Sequence, residues 1–207
     1  DAGRKGISVV VAERGTPGFV VGDLEDLTGV RANPVSSIRL YDCRVPKENL
    51  LGKPGMGLKI GLVGLDTGRI GIAAQALGIA QAALEEAIRY AHLRQQFGVP
   101  LAKHQAIQMM IADMATQVDA ARMMVYRAAW LKDQKQSFTK ASAQAKLFAA
   151  EAAGKVTDLA VQIHGGYGFI KEYAAEKFYR DCMLATIGEG TSEIQRWIIA
   201  QRVLSEY

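Results

Sequence analysis

The chain has 207 residues, 49% of them hydrophobic and 22% charged, which is enough apolar material for a sizeable core and too much for intrinsic disorder. A formal charge of +4 permits an acidic ligand, yet lysines and arginines mostly alternate with acidic residues and no basic run is interleaved with aromatics, so no specific nucleic-acid partner is expected. Gln75 and Gln81 break up the most apolar stretch, Cys43 and Cys182 are too few and too far apart for a disulfide framework or a zinc site, and Asp1 to Lys5 lacks the apolar core of a signal peptide; neither membrane nor metal is therefore expected.

The first fifty residues read as β. Gly6 to Glu13 is rich in β-branched residues, Gly15-Thr16-Pro17-Gly18 supplies turn chemistry, and Phe19-Val20-Val21 opens a second strand. A third alternates from Ile38 to Cys43 and stops before Pro46. Three strands leave unprotected edges, which suggests that their partners lie outside this segment. Leu50 to Gly57 reads as a glycine-rich linker, placing a partial β domain at 1–50 and a second domain at 51–207.

Beyond the linker the period is helical. Leu58 to about Arg94 predicts one long helix whose glycines and alanines allow close approach of a neighbour. Phe97-Gly98-Val99-Pro100 turns the chain. Helices are then predicted from about Lys103 to Lys132, from about Thr139 to Ile163, around Ala175 to Met183, and from Ser192 to near Ser205. Long helices joined by short turns pack as an antiparallel bundle, so the fold class is mainly α, with a partial β domain in front of a helical bundle.

One stretch concentrates chemistry. Glu189 stands between Gly188 and Gly190, just before a helix start at which Thr191 and Ser192 are good caps and Ser192 with Gln195 has capping-box spacing. Free N–H groups there suit a phosphate, a flavin oxygen or a thioester carbonyl. Taken alone, Glu189 reads first as a complement to the helix dipole, worth a few tenths to about 1 kcal/mol. Asp66 and Arg69 alone read as an i, i+3 pair, Arg94 as compensation at a helix end, and Gly165-Gly166 as a helix C-cap. His92, His104 and His164 have no metal-ligand spacing, and Trp130 and Trp197 read as packing residues.

Glu189-Gly-Thr-Ser-Glu-Ile-Gln-Arg196, Asp66-Thr-Gly-Arg69, Arg94-Gln-Gln-Phe-Gly98 and Gln162-Ile-His-Gly-Gly-Tyr-Gly168 stand in an order that resembles the flavin-dependent acyl-CoA dehydrogenases, closest to the short-chain and short/branched-chain types. The resemblance runs from about Lys5 to the last residue and covers the C-terminal half of such an enzyme. It implies FAD as cofactor, an acyl-CoA substrate, an electron-transfer flavoprotein as electron acceptor, a homo-oligomer with tetramer as the family form, and a bacterial cytoplasmic or mitochondrial matrix location. By the same resemblance Glu189 is the base that removes the α-proton while FAD N5 takes the β-hydride. Asp66, Thr67, Gly68, Arg69 and Gly190 go with the CoA substrate. Arg94, Phe97, Gln105 and the run Gln162, Ile163, His164, Gly165, Gly166 go with the FAD of a neighbouring subunit, and Thr191, Ser192 and Glu193 with the flavin beside the base. Some relatives carry the base on the first long helix, immediately before the arginine; that position is Gly68 here, which leaves Glu189. Two departures from the family pattern are Gly188, where an aromatic usually precedes the base, and Asn33-Pro34 in the β region. An acyl-CoA oxidase, and a noncatalytic oligomerising or DNA-binding module, are the alternatives.

Overall fold

The computed structural model describes residues 3–206; the reading of Asp1 and Ala2 lies outside the described residues. Contacts divide the chain into two compact units, Asp1–Leu65 and Asp66–Tyr207. The mainly α architecture, with small sheets preceding a bundle, is the one expected.

In the first unit, Gly3–Gly6 forms a 3-10 turn and the expected strand from Gly6 to Glu13 shrinks to Val9–Val10 (β1). Phe19–Leu24 (β2) pairs antiparallel with Ser36–Leu40 (β3), with Phe19 opposite Leu40. A strand not anticipated, Leu50–Leu51 (β4), pairs with β1. The three expected strands therefore do not share a sheet but belong to two separate ladders. The glycine-rich stretch expected as a linker is tied to β1's approach: the Gly57 N–H donates to the Ile7 carbonyl at 2.8 Å, and a Cβ at Gly57 would lie 2.7 Å from the Ser8 backbone. Only glycine admits that proximity. Leu24, Ile38 and Leu40 stay exposed, so the β2–β3 ladder buries no core of its own.

The helices are α1 (Gly57–Leu93), α2 (Gln105–Asp133), α3 (Thr139–His164), α4 (Ala175–Ile187) and α5 (Ser192–Leu204). The helix expected to end near Met183 continues to Ile187. Helix α3 packs against α2, α4 and α5. On α1, Ala73, Ala76, Ala80, Ala83, Ala87 and Ala91 are fully buried at spacings of three and four, a seam on one face of the helix. Helix α3 answers with Ala145, Ala149, Ala150, Ala153 and Ala160 in the same core. Such a seam has no room for growth, and a larger side chain in it is destabilising by about 1–3 kcal/mol.

Between α1 and α2, Gln95–Gln96 (β5) and Val99–Pro100 (β6) form a hairpin closed by Phe97 and Gly98, both at positive φ (54° and 82°). That is the type I′ geometry favoured by two-residue loops, here with a phenylalanine where asparagine is usual. Trp130 and Trp197 are more than half exposed, which corrects their reading as packing residues: the apolar faces of α2 and α5 that they occupy face outward in this chain. Among the described residues no helix is long and apolar enough to cross a membrane.

Candidate active site

Helix α4 ends at Ile187, Gly188 is extended (φ −60°, ψ 149°), and Glu189 and Gly190 then take φ values of 56° and 96° before α5 begins. A left-handed conformation costs a non-glycine residue about 1–2 kcal/mol, so the turn requires support. Support comes from three helices. From α1, the Arg69 Nε–H donates to the Glu189 carbonyl at 3.4 Å; from α3, Lys146 Nζ donates to the Gly190 carbonyl at 2.7 Å. From α5, Gln195 Nε2 donates to both carbonyls, at 3.2 and 2.8 Å. Arg69 is itself oriented by Asp66, whose carboxylate accepts from the guanidinium at 2.5 Å and from the Thr139 hydroxyl at 2.6 Å.

The cap of α5 differs from the expected capping box. Thr191 is the N-cap, its hydroxyl accepting from the Ile194 N–H, and Ser192 is the first helical residue. Gln195 reaches back past the cap to the carbonyls of Glu189 and Gly190, because the left-handed turn aims those carbonyls at it. Ser192 is buried with its hydroxyl unpartnered among the described residues. Glu193 is held below the usual carboxylate range by hydrogen bonds from its own backbone N–H and from the Thr191 hydroxyl.

The Glu189 carboxylate lies over Gly68. A Cβ built at Gly68 would stand 2.4, 2.5 and 2.7 Å from Oε2, Cδ and Oε1 of Glu189, so a side chain at 68 and the carboxylate at 189 compete for one volume. Gly188 is not similarly filled: its Cβ would meet Leu184 and Ile72 at 3.4–3.7 Å, an ordinary contact that a Cβ tolerates. Thr67 is half-buried on α1 beside this cluster. Asp66, Gly68, Arg69, Glu189, Gly190 and Thr191 are thus brought together from opposite ends of the second unit.

Sequence reasoning missed Lys146. It is fully buried, and desolvation, followed by the nearby Arg69 charge, pushes its pKa down, while Glu193 and Glu189 pull it up. The available signal was positional: a lysine on the alanine-rich stripe of α3, where lysine is rarely found fully buried unless paired. Thr139, which orients Asp66, was equally unmarked.

The other predicted residues form a second cluster. Arg94, Ile163, His164, Gly165 and Gly166 line a cavity of about 450 Å³ together with Tyr90, Leu101 and Tyr167. The Arg94 guanidinium sits 5.6 Å from the Tyr167 ring centroid, and Gly165 takes a φ of 59° that suits a glycine. His164 stacks on Tyr90 with centroids 4.2 Å apart. Its Nδ1 lies 2.7 Å from the Ala160 carbonyl; a carbonyl only accepts, so Nδ1 carries the proton, and Nε2 makes no hydrogen bond among the described residues, with Glu86 Oε1 3.8 Å away. Burial holds the His164 pKa below its ordinary value. Phe97 projects from its hairpin 94% exposed, edge-on to His104, while Gln105 and Gln162 are exposed and line neither cluster. No residue of the Glu189 turn lines the cavity.

A family model described as "Acyl-CoA dehydrogenase, C-terminal domain" matches residues 55–204. The chain belongs to the acyl-CoA dehydrogenase family. Within that family it is 53% identical to the mitochondrial short-chain specific acyl-CoA dehydrogenase of Rattus norvegicus, over 98% of this chain and 49% of the rat protein. It is 46% identical to CarC, a caffeyl-CoA reductase-Etf complex subunit of Acetobacterium woodii, over 99% of this chain and 54% of that protein. The solved butyryl-CoA dehydrogenase of Megasphaera elsdenii superposes with a TM-score of 0.96 at 46% identity, covering 98% of this chain and 53% of that one. The chain thus spans about half the length of the curated relatives it matches.

Proposed function

We propose that this acyl-CoA dehydrogenase chain carries the base and part of the flavin site of an enzyme that converts a short or short-branched acyl-CoA to its trans-2-enoyl-CoA. The observation that carries the reading is the Glu189 carboxylate, presented by a left-handed turn over the vacant side-chain position of Gly68 and clamped by donors from three helices. Strain maintained by that many contacts is characteristic of groups that must be held in one place.

The residues fit a flavin nucleotide. The buried, unpartnered hydroxyl of Ser192 stands in the first turn of α5, where free N–H groups and the helix dipole favour an anionic or electron-rich group. Thr191 and Glu193 flank it. The second cluster offers an arginine, an aromatic wall and a close-approach glycine pair, the set required by a pyrophosphate and adenine end; Arg94, Phe97, Gln105, Gln162, Ile163, His164, Gly165 and Gly166 are assigned to the FAD of a neighbouring subunit. The two clusters share no lining residue, which supports their serving two different flavins and hence a homo-oligomer, with a tetramer as the family form.

FAD, when bound, accepts the β-hydrogen of the substrate as hydride. The chain's own residues prepare the substrate for that transfer. Glu189 takes the α-proton at its carboxylate, which occupies a volume free of any competing side chain at 68. Its backbone N–H is one donor to the thioester oxygen, stabilising the enolate as it forms. Asp66, Thr67, Gly68 and Arg69 are assigned to the CoA part of the substrate and Gly190 to the substrate beside the base; Arg69 is fixed to Asp66 and to the Glu189 carbonyl. Gly188, bounded by Ile72 and Leu184, leaves room for branching or bulk in the acyl group. Electrons then pass to an electron-transfer flavoprotein, in keeping with the relative that belongs to an Etf complex. Because that relative is a reductase, the same groups operating in reverse, with protonated Glu189 as donor, are the second reading.

The test is anaerobic addition of butyryl-CoA to the flavin-loaded protein and to Glu189→Gln. Bleaching of the visible flavin band in the wild type, with loss of at least about 10³-fold in rate in the variant, is the expected result. Equal bleaching in both would remove Glu189 from the chemistry.

A further inference from the structure

Lys146 is an ionisable side chain with no exposed surface, and the proposed reaction as stated above does not use it. Removing an ammonium from water is costly, and a well-packed apolar residue of similar volume commonly gives equal or greater stability. Its presence in the core therefore calls for a reason other than packing. Its Nζ donates to one carbonyl, that of Gly190, at 2.7 Å.

The other donors to this turn are less independent of it. Gln195 belongs to α5, the helix that the turn itself starts, and so moves with the turn it holds. Arg69 reaches the Glu189 carbonyl at 3.4 Å, the longest of the contacts. Lys146 comes from α3, which packs against α2, α4 and α5 and is the most enclosed helix of the bundle. A charged donor on a rigid element transmits the position of that element to whatever accepts its hydrogen bond. The Gly190 carbonyl follows directly after Glu189, so fixing it limits the φ and ψ through which the carboxylate is aimed.

We propose that Lys146 is a positioning residue for proton transfer: its ammonium holds the Gly190 carbonyl and thereby keeps the Glu189 carboxylate over Gly68. This rests on Glu189 being the base. The charge has a second effect on the same peptide. Drawing electron density toward the Gly190 oxygen makes the Thr191 N–H on the other end of that peptide a stronger donor, and among the described residues that N–H donates to no backbone carbonyl.

The experiment compares Lys146→Met, Lys146→Gln and Glu189→Gln in the flavin-loaded protein. Rates of flavin bleaching by butyryl-CoA are expressed per bound flavin, and substrate affinity is measured separately. Lys146→Met is expected to bind flavin and substrate within about threefold of wild type while the bleaching rate falls roughly 10²-fold, the scale of an ångström's misplacement. Lys146→Gln, which keeps an N–H donor on a shorter arm, is expected to fall between the two. A Lys146→Met rate within about threefold of wild type, or a loss confined to substrate affinity, overturns the proposal. So does failure of both lysine variants to fold with flavin, which would make Lys146 a residue of the fold. A Glu189→Gln protein that still bleaches at the wild-type rate would instead overturn the reading of the base.

Discussion

Replacing Gly68 with alanine separates stability from catalysis at a single methyl group. Gly68 lies inside α1, where a glycine costs about 0.5–1 kcal/mol relative to alanine, so the substitution taken alone stabilises. For a domain of this size that gain raises the melting temperature by about 1–4 °C. The added Cβ, however, would stand 2.4 Å from Glu189 Oε2, and ordinary contact begins near 3.4 Å, so the carboxylate must withdraw by 3.4 − 2.4 = 1.0 Å. It is the end of a flexible side chain and can do so at little cost to folding. An ångström at a reacting group is worth roughly 10²-fold in rate. Gly71, three residues along the same helix, has nothing within 4 Å of its built Cβ and serves as the control. Thermal melts and anaerobic stopped-flow reduction by butyryl-CoA should show both variants melting higher but only Gly68→Ala reacting slowly. A Gly68→Ala rate within about threefold of wild type would refute the claim that the carboxylate works from the volume above residue 68.

Three further outcomes are expected. Gly188→Tyr adds a ring beside Leu184 and Ile72; kcat/KM for a branched acyl-CoA should fall at least about tenfold relative to butyryl-CoA, measured with an artificial electron acceptor. His164 has a folded pKa lowered by burial, so below its ordinary value of 6.5 the unfolded chain takes up a proton that the fold refuses, and stability declines as pH falls through that region. Urea denaturation at pH 7.5 and 5.5 should show that decline in the wild type and a smaller one in His164→Phe. Arg94→Gln, at an exposed position on the cavity rim, should lose FAD on gel filtration, read from the visible spectrum, while the protein's melting temperature without flavin stays unchanged.

Much of the fold was legible because helices of this length repeat their apolar positions many times. The period from Leu58 onward placed all five helices to within a few residues, and Gly165 marked the end of α3 as a glycine C-cap should. The β region was less legible. Two-residue strands such as β1 and β4 carry no period, and their pairing depends on Gly57 passing close to Ile7 and Ser8, a contact across some fifty residues that only the folded chain shows. The turn at Phe97–Gly98 was legible but its two-residue hairpin form was not, because phenylalanine is not a residue from which a positive φ is inferred.

At the site, the sequence by itself determined which residue types were present: a carboxylate between glycines, a helix start after it, and four motifs whose order pointed to one family. Tertiary structure alone decided what touches what. Arg69 meets the Glu189 carbonyl across 120 residues, and Lys146 meets Gly190 across 44. Periodicity reports that a position faces the interior without naming what lies opposite. Helix packing decides that, because α1, α3 and α5 each bring one donor, Arg69, Lys146 and Gln195, to the carbonyls of Glu189 and Gly190.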